Sequence, residues 1–132
     1  MNIIDAKVSN IESAEGISIV TFEAFGSELR MMSLGLNTPI EVGSEVLLGV
    51  KASSIALAKN LRGSLSTSNQ LVCRIERLKK GALLCSVKLL FGESILESII
   101  TKNSSLMMEL EEGDEVIALI KSSELSILEV KV

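Results

Sequence analysis

GSEVLLGVKASSIAL (Gly43–Leu57) and GDEVIALIKSSELSI (Gly113–Ile127) are one phrase written twice in a chain of 132 residues. Gly43 matches Gly113, Glu45 matches Glu115, Val46 matches Val116, Lys51 matches Lys121 and Ser53 matches Ser123. Most of the remaining positions exchange one apolar residue for another. In each copy a glycine turn leads into a short run of Val, Ile and Leu, which then stops at a Lys followed by small residues. A short apolar run bounded by turn signals reads as a buried strand. Whatever one copy folds into, the chain makes twice.

The echo extends upstream. NIIDAKVSNIESAEGISIVTFEAFGSEL can be laid on NQLVCRIERLKKGALLCSVKLLFGESIL, with Asn2 on Asn69, Gly16 on Gly81 and Gly26 on Gly92. The chain is thus a tandem duplication of a unit of roughly 65 residues. The units are expected at 1–62 and 66–132, joined through LAKNLRGSLSTSNQ, where Gly and Ser interrupt the apolar pattern.

Each unit reads as strands. In ISIVTFEAF (Ile17–Phe25) two alternating sets of residues share a run rich in β-branched side chains, and ALLCSVKLLF (Ala82–Phe91) holds the same place in the second unit. VKASSIALA (Val50–Ala58) and IKSSELSILEVKV (Ile120–Val132) also alternate, with a change of phase near Leu128 that suits a bulge. Turns are expected at Glu15-Gly16, Lys80-Gly81, Phe25-Gly26, Phe91-Gly92, Val42-Gly43 and Glu112-Gly113. Leu106, Met107 and Leu110 after Asn103-Ser104-Ser105, with Gly113 as a stop, predict a short helix; the first unit, with Pro39, has one turn or none. The expected fold is all-β: tandem OB-like five-stranded β-barrels, each with at most one short helix. A barrel of this size is marginal alone, and two can cover each other.

Composition narrows the chemistry. The net charge is −4, with −2 in each of residues 1–64 and 65–132, which argues against a nucleic-acid surface. Only Phe22, Phe25 and Phe91 are aromatic, so base-stacking platforms are missing. There is no His, which rules out Ser–His and Cys–His nucleophiles, and Cys73 and Cys85 have no metal spacing. No phosphate-binding glycine loop is present, and no apolar run is long enough to span a membrane. The expectations are no cofactor, no catalysis, no nucleic-acid or membrane partner, and a cytoplasmic location, since no leader pattern opens the chain.

The repeated phrase places Lys51-Ala52-Ser53 and Lys121-Ser122-Ser123 at strand ends. Small residues leave backbone N–H groups approachable, and hydroxyls are donors with rotatable hydrogens. Thr101 and Ser104 open the expected helix, and the join adds Ser66, Thr67, Ser68 and Asn69. Taken singly, such residues are usually solvated or capping groups. Together they form a donor-rich, nearly neutral set that suits a compact oxyanion.

STSNQL (Ser66–Leu71), ESIITKNS (Glu97–Ser104) and EGDEVIALIKSS (Glu112–Ser123) resemble the molbindin, or Mop, family of molybdate- and tungstate-binding domains of TOBE type. The resemblance is strongest from Ser66 to Glu129 and weaker over residues 1–60, so the chain looks like a two-domain molbindin. The resemblance implies OB-like barrels, assembly usually as a homotrimer, and molybdate or tungstate held between domains by N–H groups, hydroxyls and a Lys. It implies molybdenum homeostasis, by intracellular storage or buffering, or alternatively an oxyanion-sensing module acting on a transporter or transcription regulator. Carried over residue by residue, the family's ligands fall on Ser66, Asn69, Thr101, Ser104, Lys121, Ser122 and Ser123, and in the first unit on Lys51, Ala52 and Ser53. Ser33 takes the place of Thr101 if a two-residue deletion follows it. Ser68 replaces an Arg of the family pattern, a loss expected to weaken a dianion contact by about 1–3 kcal/mol. The first unit has no room for the stretch before Asn2 and lacks a counterpart of Ser104.

Overall fold

Alternation in the first strand sets the architecture. In β1 (Asn2–Ala14), Asn2, Ile4, Ala6 and Val8 are buried while Ile3, Asp5 and Lys7 face out. That period of two buries one face of a sheet. β6 (Asn69–Lys80) repeats it with Asn69, Leu71, Cys73 and Ile75. The structure, a computed structural model, describes all of residues 1–132.

The other strands are β2 (Ile17–Ala24), β3 (Ser27–Leu34), β4 (Glu45–Val50), β5 (Ala56–Ala58), β7 (Leu84–Phe91), β8 (Ser94–Thr101), β9 (Glu115–Ile120) and β10 (Ser126–Val130). They form two curled five-stranded sheets, ordered β10-β4-β1-β2-β3 and β5-β9-β6-β7-β8, as tandem OB-like units. All pairings are antiparallel. Each sheet takes one edge strand from the other repeat: β10 of the second pairs with β4 of the first, and β5 of the first pairs with β9 of the second. The sequence repeats and the sheets therefore divide the chain differently. One apolar cluster runs through both, including Ile4, Phe22 and Leu48 from one and Leu71, Leu89 and Ile120 from the other.

Most turns fall where the glycines put them. Glu15 and Gly16 both have positive φ, as do Phe25 and Gly26, which gives each hairpin two left-handed residues. The Lys80-Gly81 turn is one residue longer than its counterpart: residues 81–83 connect β6 to β7, against 15–16 between β1 and β2. The phase change near Leu128 is a bulge between Ile127 and Glu129. The alternation read through 50–58 and 120–132 is broken by two 3-10 turns, Ala52–Ser54 and Ser122–Glu124. The one α-helix, α1 (Lys102–Met107), begins earlier than its composition indicated. Thr101 is its cap, and Asn103, Ser104 and Ser105 lie inside it. Residues 35–44 of the first repeat form no helix.

Candidate functional site

The strand exchange brings parts of different repeats together. The 3-10 turn Ser122–Glu124 packs on β3, and the turn Ala52–Ser54 packs on β8. A hydrogen bond from Ser98 Oγ to the carbonyl of Ile55, at 2.6 Å, pins the second of these contacts. Both turns form the same way. Lys51 and Lys121 are extended, with φ −70° and −65°, and their carbonyls accept from the N–H groups of Ser54 and Glu124 at 2.9 Å. In a 3-10 turn the first N–H groups have no partner within the turn. Ala52-Ser53 and Ser122-Ser123 therefore offer donors along with their hydroxyls, where Ser53 and Ser123 are exposed.

Two cavities lie beside these turns. One, of about 490 Å³, is walled by Ser33, Gly35 and Thr38 from the first repeat and by Ser123 and Ser126 from the second, with apolar flanks from Met31 and Leu125. The other, of about 310 Å³, joins Ser53 and Ser54 to Thr67 of the join and to Lys121. Glu124 also lines it, and its carboxylate accepts from Ser54 Oγ at 3.0 Å. That hydrogen bond ties the two turns to each other.

Of the expected ligands, the structure thus gathers Ser33 with Ser123, and Ser53 with Lys121. Lys51, Ala52 and Ser122 belong to the same turns without walling either cavity. Ser66 is exposed in the join beside Thr67. Thr101 and Ser104 hold each other: Thr101 Oγ1 donates to Ser104 Oγ at 2.8 Å and accepts from the Ser104 N–H at 3.0 Å. Thr101 thereby caps α1 through Ser104, and neither residue walls either cavity.

Asn69 is engaged in a structural contact, and Ser33 occupies a different station from the one expected. Asn69 is fully buried; its Oδ1 accepts from the Arg30 N–H at 2.6 Å and its Nδ2 donates to the Arg30 carbonyl at 2.9 Å. The side chain clamps β6 to β3, so both ends of the amide are engaged away from solvent. Asn2 does the same to Glu97 of β8, at 2.8 Å on both sides. Ser33, for its part, does not hold Thr101's station. Thr101 pairs with Leu84 and Leu34 pairs with Ile17, so Leu34 is the register equivalent of Thr101 and Ser33 sits one residue before it. Sequence reading passed over Thr38, Ser54 and Ser126. Ser54 could have been found as the next residue of the repeated turn. Nothing local marks Thr38 or Ser126, and Ser126 reaches the cavity only through the strand exchange.

Electrostatics around the site are mild. Lys59, which follows β5, donates to the carbonyls of Met108 and Glu109 beyond α1, at 3.3 and 2.9 Å, and pairs with Asp114 at 3.1 Å. The Glu111 N–H and then Lys59 hold the Asp114 carboxyl below the usual range. Burial pushes the Cys73 thiol up to about 11, so it is a neutral core group. No group of three or more His, Cys, Asp or Glu is placed to hold a metal.

The family model of the TOBE domain matches residues 65–127. Among solved structures, the chain is similar to the cytoplasmic molybdate-binding protein ModG in a form with molybdate bound. That match has a TM-score of 0.86 and 24% identity, and covers 96% of this chain and 94% of that one. At that identity the likeness is one of fold. A molybdate-binding protein from Sporomusa ovata matches with 27% identity and a TM-score of 0.50, over 51% of this chain and 100% of its own. No curated protein matches the sequence.

Proposed function

We propose that this chain, whose residues 65–127 match the TOBE domain, is of molbindin type and binds molybdate or tungstate without transforming it, as a store or buffer in the cytoplasm. The observation that carries this reading is that Ser33 with Ser123, and Ser53 with Lys121, each from different repeats, wall common cavities to which several hydroxyls contribute. A tetrahedral dianion gains most from several fixed donors and little from a crowd of cations when its site is largely dry. One ammonium, Lys121 or Lys51, supplies charge. Both are exposed, so they can turn toward an anion without leaving a buried charge behind. The fold match to ModG and the half-length match to the Sporomusa ovata protein support the ligand class, since both are molybdate-binding proteins.

The same reading includes self-association, as a homotrimer. Exposed apolar side chains flank the far ends of both sheets: Ile17, Met32 and Leu34 on one, and Leu84 and Ile99 on the other. Met32 and Leu34 also line the larger cavity, so covering them would help to enclose it. No helix is long and apolar enough to cross a membrane.

Thermal denaturation with molybdate, tungstate, sulfate and phosphate tests the proposal. At a hundredfold excess over Kd, each filled site adds roughly 2.7 kcal/mol to stability. Molybdate and tungstate should raise Tm, and sulfate and phosphate should do so less. Ser123→Ala and Lys121→Ala should each reduce the rise. No shift with either metal oxide would count against the reading.

A further inference from the structure

The outer face of the second sheet carries a charge arrangement that the fold does not require. Residues 74–88 hold five of the chain's thirteen basic residues and a single acid. Arg77 of β6 lies directly opposite Lys88 of β7, and Lys79 lies opposite Ser86 in the next row on the same face. Arg77, Lys79, Ser86, Lys88 and Glu97 wall a depression of about 180 Å³ with no apolar lining. Glu97 is the only carboxylate there, and Ser86 Oγ donates to it at 2.6 Å. Three cations thus face one acid. Like charges directly opposite each other on neighbouring strands are destabilising.

Register places Asn10, Glu12, Thr21 and Ile19 of the first repeat at the stations of Arg77, Lys79, Lys88 and Ser86. Arg30 takes the station of Glu97, so the same sheet is built in this molecule with one cation there in place of three. Lys88 lies between Glu97 on one side and Arg77 on the other, and this crowding of three cations is absent from the first repeat.

We propose that this depression is a second anion site, distinct from the cavities between the repeats, and that it takes a compact polyanion of the phosphate class. Arg77 provides a planar fork for phosphate oxygens, Lys79 and Lys88 provide point charges, and Ser86 provides a hydroxyl. The all-polar walls leave no place for an apolar body, so recognition is of the phosphate oxygens themselves. Such an anion reaches the protein either free, as inorganic phosphate or diphosphate, or as the phosphate chain of a nucleotide.

Isothermal titration at fixed ionic strength, with inorganic phosphate, inorganic diphosphate and adenosine diphosphate, tests this. Saturable binding is expected, tighter for diphosphate than for phosphate. Arg77→Asn with Lys88→Thr, the residues of the first repeat, should weaken it at least tenfold, and Lys79→Gln alone at least threefold. Ser123→Ala should leave it unchanged, which separates this site from the one proposed for molybdate. Equal affinity for the two diphosphates would assign the inorganic anion, and a tenfold gain with adenosine diphosphate would assign the nucleotide. The ligand-free double variant should melt at the same temperature as the parent or higher, because a repulsion is removed. Absence of saturable binding, affinity unchanged in the variants, or a lower melting temperature of the double variant would each overturn the proposal.

Discussion

Asn69 behaves as a short piece of strand. β3 is an edge of its sheet, so the outward N–H and C=O of Arg30 have no neighbouring strand, and the side-chain amide of Asn69 takes both. Asn2 does this for Glu97 on the edge strand β8. An edge left bare is both unsatisfied and a template for aggregation. Asn69→Ala should therefore lower stability in urea by about 1–3 kcal/mol for each group left buried and unpaired. The shift in Tm given by saturating molybdate should survive in the folded variant; its loss would return Asn69 to the ligand set. The duplication itself singled out Asn2 and Asn69, but not their purpose. An amide that bonds to a backbone 39 residues away leaves no local mark in the sequence. The strand ends before Lys51 and Lys121 were legible for the opposite reason: the end of an apolar run is a local event.

Between elements, two contacts decide how the exchanged strands seat. Gly49 in β4 lies beneath Leu128 at the bulge of β10, where an added Cβ would come within 2.7 Å of Leu128 Cγ. Gly49→Ala should cost about 1–3 kcal/mol through overpacking. Adding Leu128→Ala should recover much of that, as a double-mutant cycle in denaturant would reveal. On the other sheet, Lys59 after β5 ties Asp114 and the chain beyond α1. The Asp114 carboxyl is held below its ordinary value, so the folded state prefers the carboxylate. Its contribution is complete above the unfolded pKa of about 4 and fades as pH falls through the folded value. The gap in Tm between the parent protein and Asp114→Asn should accordingly be widest near neutrality and close toward pH 2. A gap independent of pH would detach stability from this ion pair. Strands, hairpin glycines and the bulge near Leu128 were readable because each follows from neighbouring residues. The 3-10 turns were not, because Ala52-Ser53-Ser54 fits an alternating strand as well as it fits a turn.

At the scale of the molecule, exchange of β5 and β10 makes each sheet depend on both repeats. Periodicity shows that there are two units but cannot show which copy completes which sheet, since the two copies are alike. The cavities are consequences of that choice, which is why no reading of the sequence could bring Ser33 and Ser123 to one wall. We propose that 1–62 and 66–132 are units of sequence rather than units of folding. Residues 66–132 made alone should form a dimer in which each copy lends its β10 to the other, as in domain swapping. A folded monomer in sedimentation would contradict this. If the junctions between repeats are what hold the anion, occupancy should follow the intact chain and be sensitive to both sides of each junction. Native mass spectrometry of the full chain, with and without tungstate, addresses this most directly. The expected spectrum is a homo-oligomer that gains whole tungstate masses and loses occupancy in Ser33→Ala and Ser123→Ala. A species that takes up no tungstate, or takes it up equally in both variants, would contradict the account.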